Sequence, residues 1–156
     1  MKVRPFLWFD SQAHDAAKLY TSIFPHSEIR SVMKRPAGVP GPSDVLVVTF
    51  AIGPQEVVAM NGGPGHPQTD AFSMAVEVDT QADVDRIWSK LLDGGGKEIQ
   101  CGWLYDRFGV HWQVMPSVLL KLMADPNPKK AAAVAAAMMK MIKLDAGALQ
   151  AAYDAA

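Results

Sequence analysis

The sequence predicts an α+β fold made of two tandem βαβββ modules followed by a C-terminal helical extension. The first observation is an internal repeat: Phe-Asp-Ser-Gln-Ala at 9–13 and Val-Asp-Thr-Gln-Ala at 78–82 lie 69 positions apart. The second is that strand-like and helix-like segments follow each copy in the same order. The third is a change after Pro116, where Ala and Met become frequent. A chain of 156 residues is short for two independent domains, so we expect two half-domains sharing a core.

The first module begins with the aromatic run 6–9, which is typical of a strand. Asp10 or Ser11 can cap the helix that follows, because short polar side chains accept hydrogen bonds from the free N–H groups of a first turn. Apolar residues then recur at the spacing of one buried helical face, and Pro25 ends the helix. Three further strands are predicted at 28–35, 45–52 and 56–60, separated by a Pro-rich loop and a Gly-Pro-Gln turn.

After a Gly- and Pro-rich segment at 61–67, predicted to be a flexible hinge, the same order begins again. A strand at 72–78 places Ser73, Ala75 and Glu77 on one face. The dipeptide 79–80 caps a second helix, which three consecutive glycines end. The remaining strands of the second module are predicted at 97–101, 103–105 and 110–115.

The sequence after Pro116 predicts helices at 118–123, 129–144 and 148–155. Methionine stripes of the kind found here suit adaptable packing surfaces. We expect this stripe to pack against the protein's own sheet or a sister subunit, with a ligand lid as the alternative. The predicted organisation is one domain at 1–123, made of module 1 at about 3–61 and module 2 at about 70–116, with an extension at 124–156.

Charge and composition exclude several classes of partner. Lys and Arg number 15 against 16 Asp and Glu, and no basic stripe alternates with aromatic residues, so we expect no nucleic acid. No apolar run approaches the roughly 18 residues that cross a bilayer, and residues 1–5 lead into a strand with no secretory segment. Cys101 is the single cysteine and cannot form an internal disulfide. We therefore expect a cytoplasmic protein.

His111 is the histidine in the most informative position. Alternation along the last strand of the second module places His111 and Gln113 on the same face. If that face lines a cleft, His111 can act as a base or orient a substrate, and Gln113 can form hydrogen bonds. The alternative is an exposed or interfacial strand face. The other three histidines are predicted to be solvated: His14, His26 and His66.

Other residues allow a structural and a functional interpretation. Cys101 is either a small apolar side chain or a nucleophile, and the second role needs a base such as His111 nearby. Trp103 belongs either to the core or to an aromatic wall of a cleft. Asp106 is predicted to stabilise the turn that follows it. The segment 62–65 resembles a phosphate loop only in composition, because it opens no helix with a following Lys.

Three stretches of the chain carry a family resemblance: CGWLYDRFGVHWQVMP at 101–116, PFLWFDSQAHDAAKLYTSIFPHSEI at 5–29 and MNGGP at 60–64. Together they resemble the PhnB-like branch of the vicinal oxygen chelate superfamily, which includes glyoxalase, bleomycin-resistance proteins and extradiol dioxygenases. This branch is often labelled 3-demethylubiquinone-9 3-methyltransferase. The resemblance covers about residues 3–123 and also includes the Lys-rich and Met-rich tail.

The resemblance implies a glyoxalase/bleomycin-resistance/dihydroxybiphenyl dioxygenase-like fold whose sheets curl around a cleft. It also implies a homodimer, whose subunits can share or exchange modules. In the metal enzymes of the superfamily, His, Gln or Glu ligands lie on the first and last strands of each module. Here the positions taken as equivalent are Pro5, Leu7, Phe9, Asn61, Ser73, Ala75, Glu77 and Gln113. They do not supply three or four His and carboxylate ligands, so we expect no catalytic metal and no cofactor.

The resemblance supports several functional hypotheses. One is a small-molecule binding protein of the bleomycin-resistance type, with a homodimer cleft lined by Phe9, Asn61, Ser73, Glu77, Cys101 and Trp103. Another is an enzyme, either a lyase, isomerase or dioxygenase-like protein with an atypical or absent metal site, or a metal-independent catalyst that uses His111 and Gln113. A third is a subunit-interaction module whose own side chains fill the cleft. A methyltransferase is not expected, because the sequence shows no strand, Gly-rich turn and helix of the kind that binds S-adenosylmethionine.

Overall fold

The computed structural model describes all 156 residues. Contacts between Cα atoms divide the chain into two compact units, Met1–Gln68 and Thr69–Ala156. Each unit contains one four-stranded mixed sheet built from a βαβββ segment, which confirms the predicted α+β class and the internal repeat. None of the helices is long and apolar enough to span a lipid bilayer.

The first unit forms its sheet in the order β1-β4-β3-β2, with β1 parallel to β4 and the other neighbours antiparallel. Its helix α1 buries Ala16, Ala17 and Tyr20 completely, and Phe50 and Val57 of the sheet are equally buried. The three-and-four spacing of small and aromatic residues in α1 therefore forms the core of this unit. The elements are β1 (Phe6–Phe9), α1 (Ala13–Ile23), β2 (Glu28–Lys34), β3 (Val45–Ile52) and β4 (Gln55–Asn61).

The predicted cap of α1 is wrong. Neither Asp10 nor Ser11 caps the helix; the N-cap position is Gln12, which forms no side-chain cap hydrogen bond. The N–H group of Ala13 instead donates to Oδ1 of the fully buried Asn61, at 2.8 Å. The parallel pairing of β1 with β4 places Asn61 opposite the end of β1, so the cap comes from a residue 48 positions away. The second copy is capped locally as predicted, since Thr80 Oγ1 accepts a hydrogen bond from the N–H group of Asp83.

The segment predicted as a flexible hinge is held against β1. The indole N–H group of Trp8 donates to the carbonyl oxygen of Gly63 at 2.8 Å, and Gln68 Nε2 donates to the Trp8 carbonyl at 2.6 Å. Gly62 lies so close to the indole that a Cβ there would be 2.1 Å from Trp8 Cζ2. The His66 ring lies 4.3 Å from the Trp8 ring, so this exposed histidine has an aromatic neighbour as well as solvent.

The second unit repeats the arrangement, with the strand order β5-β8-β7-β6 and β5 parallel to β8. Helix α2 packs on this sheet and buries Ile87 and Leu91, while β8 buries Trp112 and Val114. The unit ends with three helices. Its elements are β5 (Met74–Val78), α2 (Gln81–Leu92), β6 (Lys97–Glu98), β7 (Trp103–Tyr105), β8 (His111–Pro116), α3 (Val118–Met123), α4 (Pro128–Met138) and α5 (Ala146–Asp154).

Two predicted strands of the second unit are too long. β5 begins at Met74, two residues later than predicted, and β6 ends at Glu98 instead of Cys101. The backbone explains the second difference, because Cys101 has φ of 62° and Gly102 has φ of 82°. Both angles lie in the left-handed region, which cannot continue a β-strand.

The helices α3, α4 and α5 enclose a small core of their own, made of Leu119, Leu122, Val134, Leu144 and Leu149. Met115, Met138 and Met141 pack against this core, so much of the methionine stripe contacts the protein itself. Met139 and Ile142 are instead exposed.

The predicted helix at 129–144 is also too long, since α4 ends at Met138. The carbonyl oxygens of Met141 and Ile142 accept hydrogen bonds from the N–H groups of Cys101 and Gly102 at 2.8 and 2.7 Å, so the segment after α4 is attached to the turn before β7.

The glutamine of the second repeat copy attaches the helical extension to α2. Gln81 Nε2 donates to the carbonyl oxygen of Leu144 at 3.1 Å, and Gln81 Oε1 accepts from the N–H group of Ala146 at 2.9 Å. Lys143 and Asp85 form an ion pair of 2.6 Å beside these bonds. The repeated glutamine therefore has two roles: Gln12 occupies the N-cap position of α1, whereas Gln81 binds the helical extension.

Candidate functional site

Half-buried polar and aromatic side chains occupy the face of the second sheet that lies opposite α2. Along β8 the burial alternates: Trp112 and Val114 are buried against the helix side, whereas His111 and Gln113 are half-buried on the other side. The face with His111 and Gln113 is called here the polar face. It contains Ser73, Glu77, Trp103, Tyr105, His111 and Gln113.

Gln113 lies at the centre of the polar face. The strand register places it between Ala75 on β5 and Trp103 on β7. Its Nε2 group donates a hydrogen bond of 2.8 Å to the hydroxyl oxygen of Ser73. The amide is therefore oriented by the protein, and its oxygen can accept a hydrogen bond from a ligand. Ala75 contributes only a methyl group, which leaves space beside the amide.

His111 lies one step along the same face and pairs with Tyr105 across β7 and β8. The two rings are 5.5 Å apart and tilted by 47°. His111 Nδ1 is buried and has no hydrogen-bond partner within the chain. Buried polar atoms are nearly always paired, so this nitrogen needs a partner such as a ligand group or a water molecule. An imidazole in this state can accept, donate or transfer a proton.

Asp106 holds the turn that leads into β8 and so fixes the position of His111. Its Oδ1 accepts hydrogen bonds from the N–H groups of Phe108 and Val110 at 2.8 and 3.1 Å, and its Oδ2 accepts from the Trp112 indole at 2.9 Å. The residue is 1% exposed. The structural role predicted for Asp106 is confirmed, and it includes a bond to the core as well as to the turn.

The structure brings some of the predicted site residues together and separates others. Ser73, Glu77, Trp103, His111 and Gln113 share the polar face of the second unit. Cys101 lies in the turn before β7, where its Sγ is 3.7 Å from Met139 Sδ, and Phe9 and Asn61 lie in the interior of the first unit.

The strand-face prediction for β1 is wrong. Leu7 and Phe9, two of the positions taken as equivalent to metal ligands, are 3% and 4% exposed and belong to the core beside α1. Phe6 is 56% exposed and Trp8 is half-buried, so these two side chains point to the other face. The repeat predicts this orientation. A shift of 69 residues aligns Trp8 with Glu77, which lies on the polar face, so Leu7 and Phe9 belong on the opposite face.

Two residues with candidate roles were not identified from the sequence. Tyr105 faces His111 because β7 and β8 pair in that register, and no local pattern of residues indicates this pairing. Glu56 lies at the start of β4, where Arg4 Nη1 binds its Oε1 at 2.6 Å and Arg30 Nη1 binds its Oε2 at 2.9 Å. The hydrogen bond from Arg4, together with Arg30 and Lys2, holds the pKa of the Glu56 carboxyl below its usual value.

The side chains of this chain do not fit the divalent metal site of the related metal enzymes. No group of three or more His, Cys, Asp or Glu side chains is close enough together to hold a metal ion. Both carboxylate oxygens of Glu56 are bound by arginines. On the polar face, His111, Glu77 and Gln113 are accompanied by Trp103 and Ser73, which are not typical ligands for such a metal.

One surface depression of about 510 Å³ lies at the end of α2 and is lined by Trp88, Ser89, Lys90, Leu92, Asp93 and Gly94. It includes no residue of the polar face. Its size alone does not make it a functional site, because it contains neither an unpaired buried polar atom nor a residue with chemistry of the kind found at His111.

Comparison with protein families gives a match to the model described as 3-demethylubiquinone-9 3-methyltransferase, over residues 1–115. The matched region contains both βαβββ segments up to Met115 and leaves α3, α4 and α5 outside. A search of curated protein sequences found no match.

Several solved structures share the fold. One is described as a putative 3-demethylubiquinone-9 3-methyltransferase, PhnB protein, from Bacillus cereus. Its sequence is 30% identical to this one, and the TM-score is 0.68. The match covers 74% of this chain and 99% of the Bacillus cereus chain. A protein of Pseudomonas aeruginosa is 22% identical over 74% of this chain and 97% of its own, with a TM-score of 0.60. The fosfomycin resistance protein FosX of Mesorhizobium loti is 14% identical over 72% of this chain and 87% of its own, with a TM-score of 0.51.

Proposed function

This chain belongs to the 3-demethylubiquinone-9 3-methyltransferase family, the PhnB-like branch of the vicinal oxygen chelate superfamily, and we propose that it binds a small molecule on its polar face without a catalytic metal. The observation that carries the proposal is the buried Nδ1 atom of His111, which has no partner within the chain. The nitrogen is covered by the chain's own atoms, so a ligand on the polar face would satisfy it once the imidazole ring turns toward that face. The neighbouring amide of Gln113 is already oriented by Ser73 and supplies a second polar contact.

The side chains around His111 indicate the chemistry of the ligand. Trp103 and Tyr105 offer aromatic surface, which favours an aromatic or apolar ring system. His111 Nδ1 and the Gln113 oxygen can both accept hydrogen bonds, so we expect the ligand to carry an N–H or O–H group. Glu77 is exposed on the same face and can add a charged contact at its edge.

The proposal includes a homodimer whose two subunits enclose the ligand, as the resemblance to the superfamily implies. Phe6 and Phe72 are 56% and 50% exposed in the single chain, and large apolar side chains at the surface favour burial by a partner. Light scattering after size exclusion tests this part, since a mass of one chain at micromolar concentration would contradict it. A cytoplasmic location is a further part of the proposal, which the single cysteine favours.

The activity in the family description is not the one proposed. Sites for S-adenosylmethionine commonly use a Gly-rich turn between a strand and a helix of a parallel sheet. In this chain the strand-to-helix junctions are Asp10-Ser11-Gln12 and Asp79-Thr80, and neither contains glycine. Each sheet also has two antiparallel pairings among its four strands.

A ligand screen by thermal shift tests the proposal. We expect at least one aromatic or apolar compound with a hydrogen-bonding group to raise the melting temperature in a saturable manner. The affinity measured by calorimetry is expected to fall about tenfold in His111→Ala, which removes one ligand hydrogen bond. His14→Ala is the matched control, because His14 is half-buried on α1 in the first unit. No saturable ligand in a broad screen, or equal losses in the two variants, would contradict the proposal.

An enzyme is the second candidate function, and the same unpaired His111 nitrogen favours it. His111 would take a proton from the bound molecule, and Gln113 would hold the molecule in position. Mass spectrometry of each screened ligand after incubation with the protein tests this alternative. A product that forms with the native protein and is absent with folded His111→Ala supports catalysis, whereas unchanged ligand in both samples supports binding alone.

A further inference from the structure

A cluster of charged side chains lies at the start of β4 in the first unit, on residues outside the polar face. The Glu56 side chain is 15% exposed, and three cations approach it. Arg4 Nη1 lies 2.6 Å from Oε1, Arg30 Nη1 lies 2.9 Å from Oε2, and Lys2 Nζ lies 3.9 Å from Oε1. The cluster of Lys2, Arg4, Arg30 and Glu56 is called here the cationic cluster.

The backbone builds this cluster through a β-bulge. In the pairing of β2 with β3, Ile29 faces Phe50 and Ser31 faces Thr49, so Arg30 has no partner and is the extra residue. Bulges redirect side chains and are frequent next to functional sites. Between Arg30 and Glu56 lies β3, and the residue paired with Glu56 there is Ala51, whose small side chain lets the two charged groups meet above it.

Arg4 is held in place by the chain that precedes β1. The N–H group of Val58 donates to the carbonyl oxygen of Pro5 at 3.0 Å, which fixes the chain before β1 to β4 at the first pair, Phe6 with Val58. Arg4 is therefore carried alongside the start of β4, next to Glu56. Two arginines from separate segments thus converge on one carboxylate, whose lowered pKa keeps it ionised at neutral pH.

The three cations of the cluster carry more positive charge than Glu56 neutralises and more N–H donors than it binds. Three cations face Glu56, and the one further carboxylate is that of Glu28, 3.5 Å from Arg30 Nε, so positive charges exceed negative charges by one. Each guanidinium carries five N–H donors and uses one of them in its hydrogen bond to Glu56. Both arginines line a depression of about 420 Å³, which also includes Lys2 and Gln55.

We propose that the cationic cluster binds the phosphate group of a small molecule. Guanidinium groups match phosphate oxygens in a forked geometry, and two arginines plus a lysine can contact several oxygens of one phosphate. Glu56 orients both arginines before the ligand arrives, which reduces the conformational entropy lost on binding. The depression has the size of small-molecule sites in proteins and is open to solvent.

Calorimetric titration of the full-length chain with inorganic phosphate at low ionic strength tests the proposal. The expected result is saturable binding at one site per chain, which weakens as sodium chloride is added. Arg30→Gln is expected to weaken the affinity about tenfold or more, because it removes a charge-assisted contact. Arg86→Gln is the matched control; Arg86 pairs with Asp83 on α2 and is expected to leave the affinity unchanged.

Further measurements distinguish a loss of phosphate affinity from a loss of folding in the variants. Circular dichroism establishes that each variant is folded, and Arg4→Gln replaces Arg30→Gln if the latter is not. Arg30→Lys keeps the charge but loses the fork, so its affinity is expected to lie between those of the native chain and Arg30→Gln. Acetate, a monoanion, is expected to bind more weakly than phosphate. The absence of saturable phosphate binding, or the same affinity in Arg30→Gln and Arg86→Gln, would overturn the proposal.

Discussion

The side-chain amide of Gln113 on β8 donates a hydrogen bond of 2.8 Å to the hydroxyl oxygen of Ser73, which lies just before the neighbouring strand β5. The bond connects two residues 40 positions apart and fixes the amide at the centre of the polar face. The arrangement of the proposed site is therefore set by the pairing of β5 with β8, and the pairing itself follows from the repeated βαβββ order.

We expect Ser73→Ala to leave the fold intact and to free the Gln113 amide. A neutral hydrogen bond of this kind contributes about 0.5–1.5 kcal/mol, so the loss in unfolding free energy should be within that range. Urea denaturation measures it. Ser89→Ala on the exposed side of α2 is the control and should change stability less. A loss well above that range would mean that Ser73 has a larger structural role than one hydrogen bond.

Asp106→Asn should be strongly destabilising. Asp106 accepts from Phe108, Val110 and Trp112, and an asparagine side chain replaces one accepting oxygen with an NH2 group that faces an N–H donor. Leaving buried groups unpaired costs about 1–3 kcal/mol each, and chemical denaturation should show a loss of at least about 2 kcal/mol. Asp70→Asn, in an exposed position, serves as the control. Similar stabilities of the two variants would show that the Asp106 bonds are dispensable.

Asn61→Ala removes the long-range cap of α1. It leaves the buried N–H group of Ala13 and the part-buried carbonyl oxygen of Val45 without their Asn61 partner. We expect a loss of about 2–3 kcal/mol in unfolding free energy. The comparison variant is Asn127→Ala, since Asn127 caps α4 at the surface and its removal should cost about 1 kcal/mol or less. Equal losses of unfolding free energy in the two variants would show that the buried cap stabilises the fold no more than the exposed one.

The bond between Tyr153 and Asp125 predicts a pH dependence for the docking of α5. Tyr153 Oη donates to Asp125 Oδ2 at 2.5 Å; this bond lowers the pKa of the Asp125 carboxyl and raises the pKa of the Tyr153 hydroxyl. A lowered carboxyl pKa stabilises the fold above the unfolded pKa, and this contribution is lost as the pH falls through the folded pKa. A raised tyrosine pKa stabilises the fold below the unfolded pKa, and this contribution is lost as the pH rises through the folded value.

Hydrogen exchange of the α5 amides at a series of pH values measures this effect. We expect protection to be greatest at neutral pH and to decrease both in the acid range where Asp125 is protonated and above about pH 10, where Tyr153 ionises. Tyr153→Phe should remove both decreases and lower the protection at neutral pH. Tyr105→Phe, in the same unit, should keep the native profile. An unchanged profile in Tyr153→Phe would contradict the role of the bond.

The alternation and spacing of apolar residues predicted much of the fold. The bounds of β3 at Val45–Ile52 and of α3 at Val118–Met123 are the predicted ones, because a run rich in β-branched residues and a short apolar run between breakers allow little choice. The cap by Asn61 could not be predicted, because it depends on a partner brought near by parallel strand pairing.

The same limit applies to the candidate site. His111 and Gln113 were placed on one face because alternation along a single strand is local, and the structure has them there. Phe9 was assigned to the cleft side by counting from the strand end alone; the repeat aligns Trp8 with Glu77 instead, and Phe9 is in the core. Tyr105 depends on the register between β7 and β8, which no local pattern encodes.

Ligand binding on the polar face can be observed at the side-chain amide signal of Gln113. The measurement is a ¹H–¹⁵N spectrum recorded while the ligand found by thermal shift is added, with Gln113→Ala used to assign the signal. We predict that the Gln113 side-chain resonances shift in a saturable manner, together with the indole resonance of Trp103. Saturable shifts confined to other side chains, such as Gln55 or Gln68 of the first unit, would contradict ligand binding on the polar face.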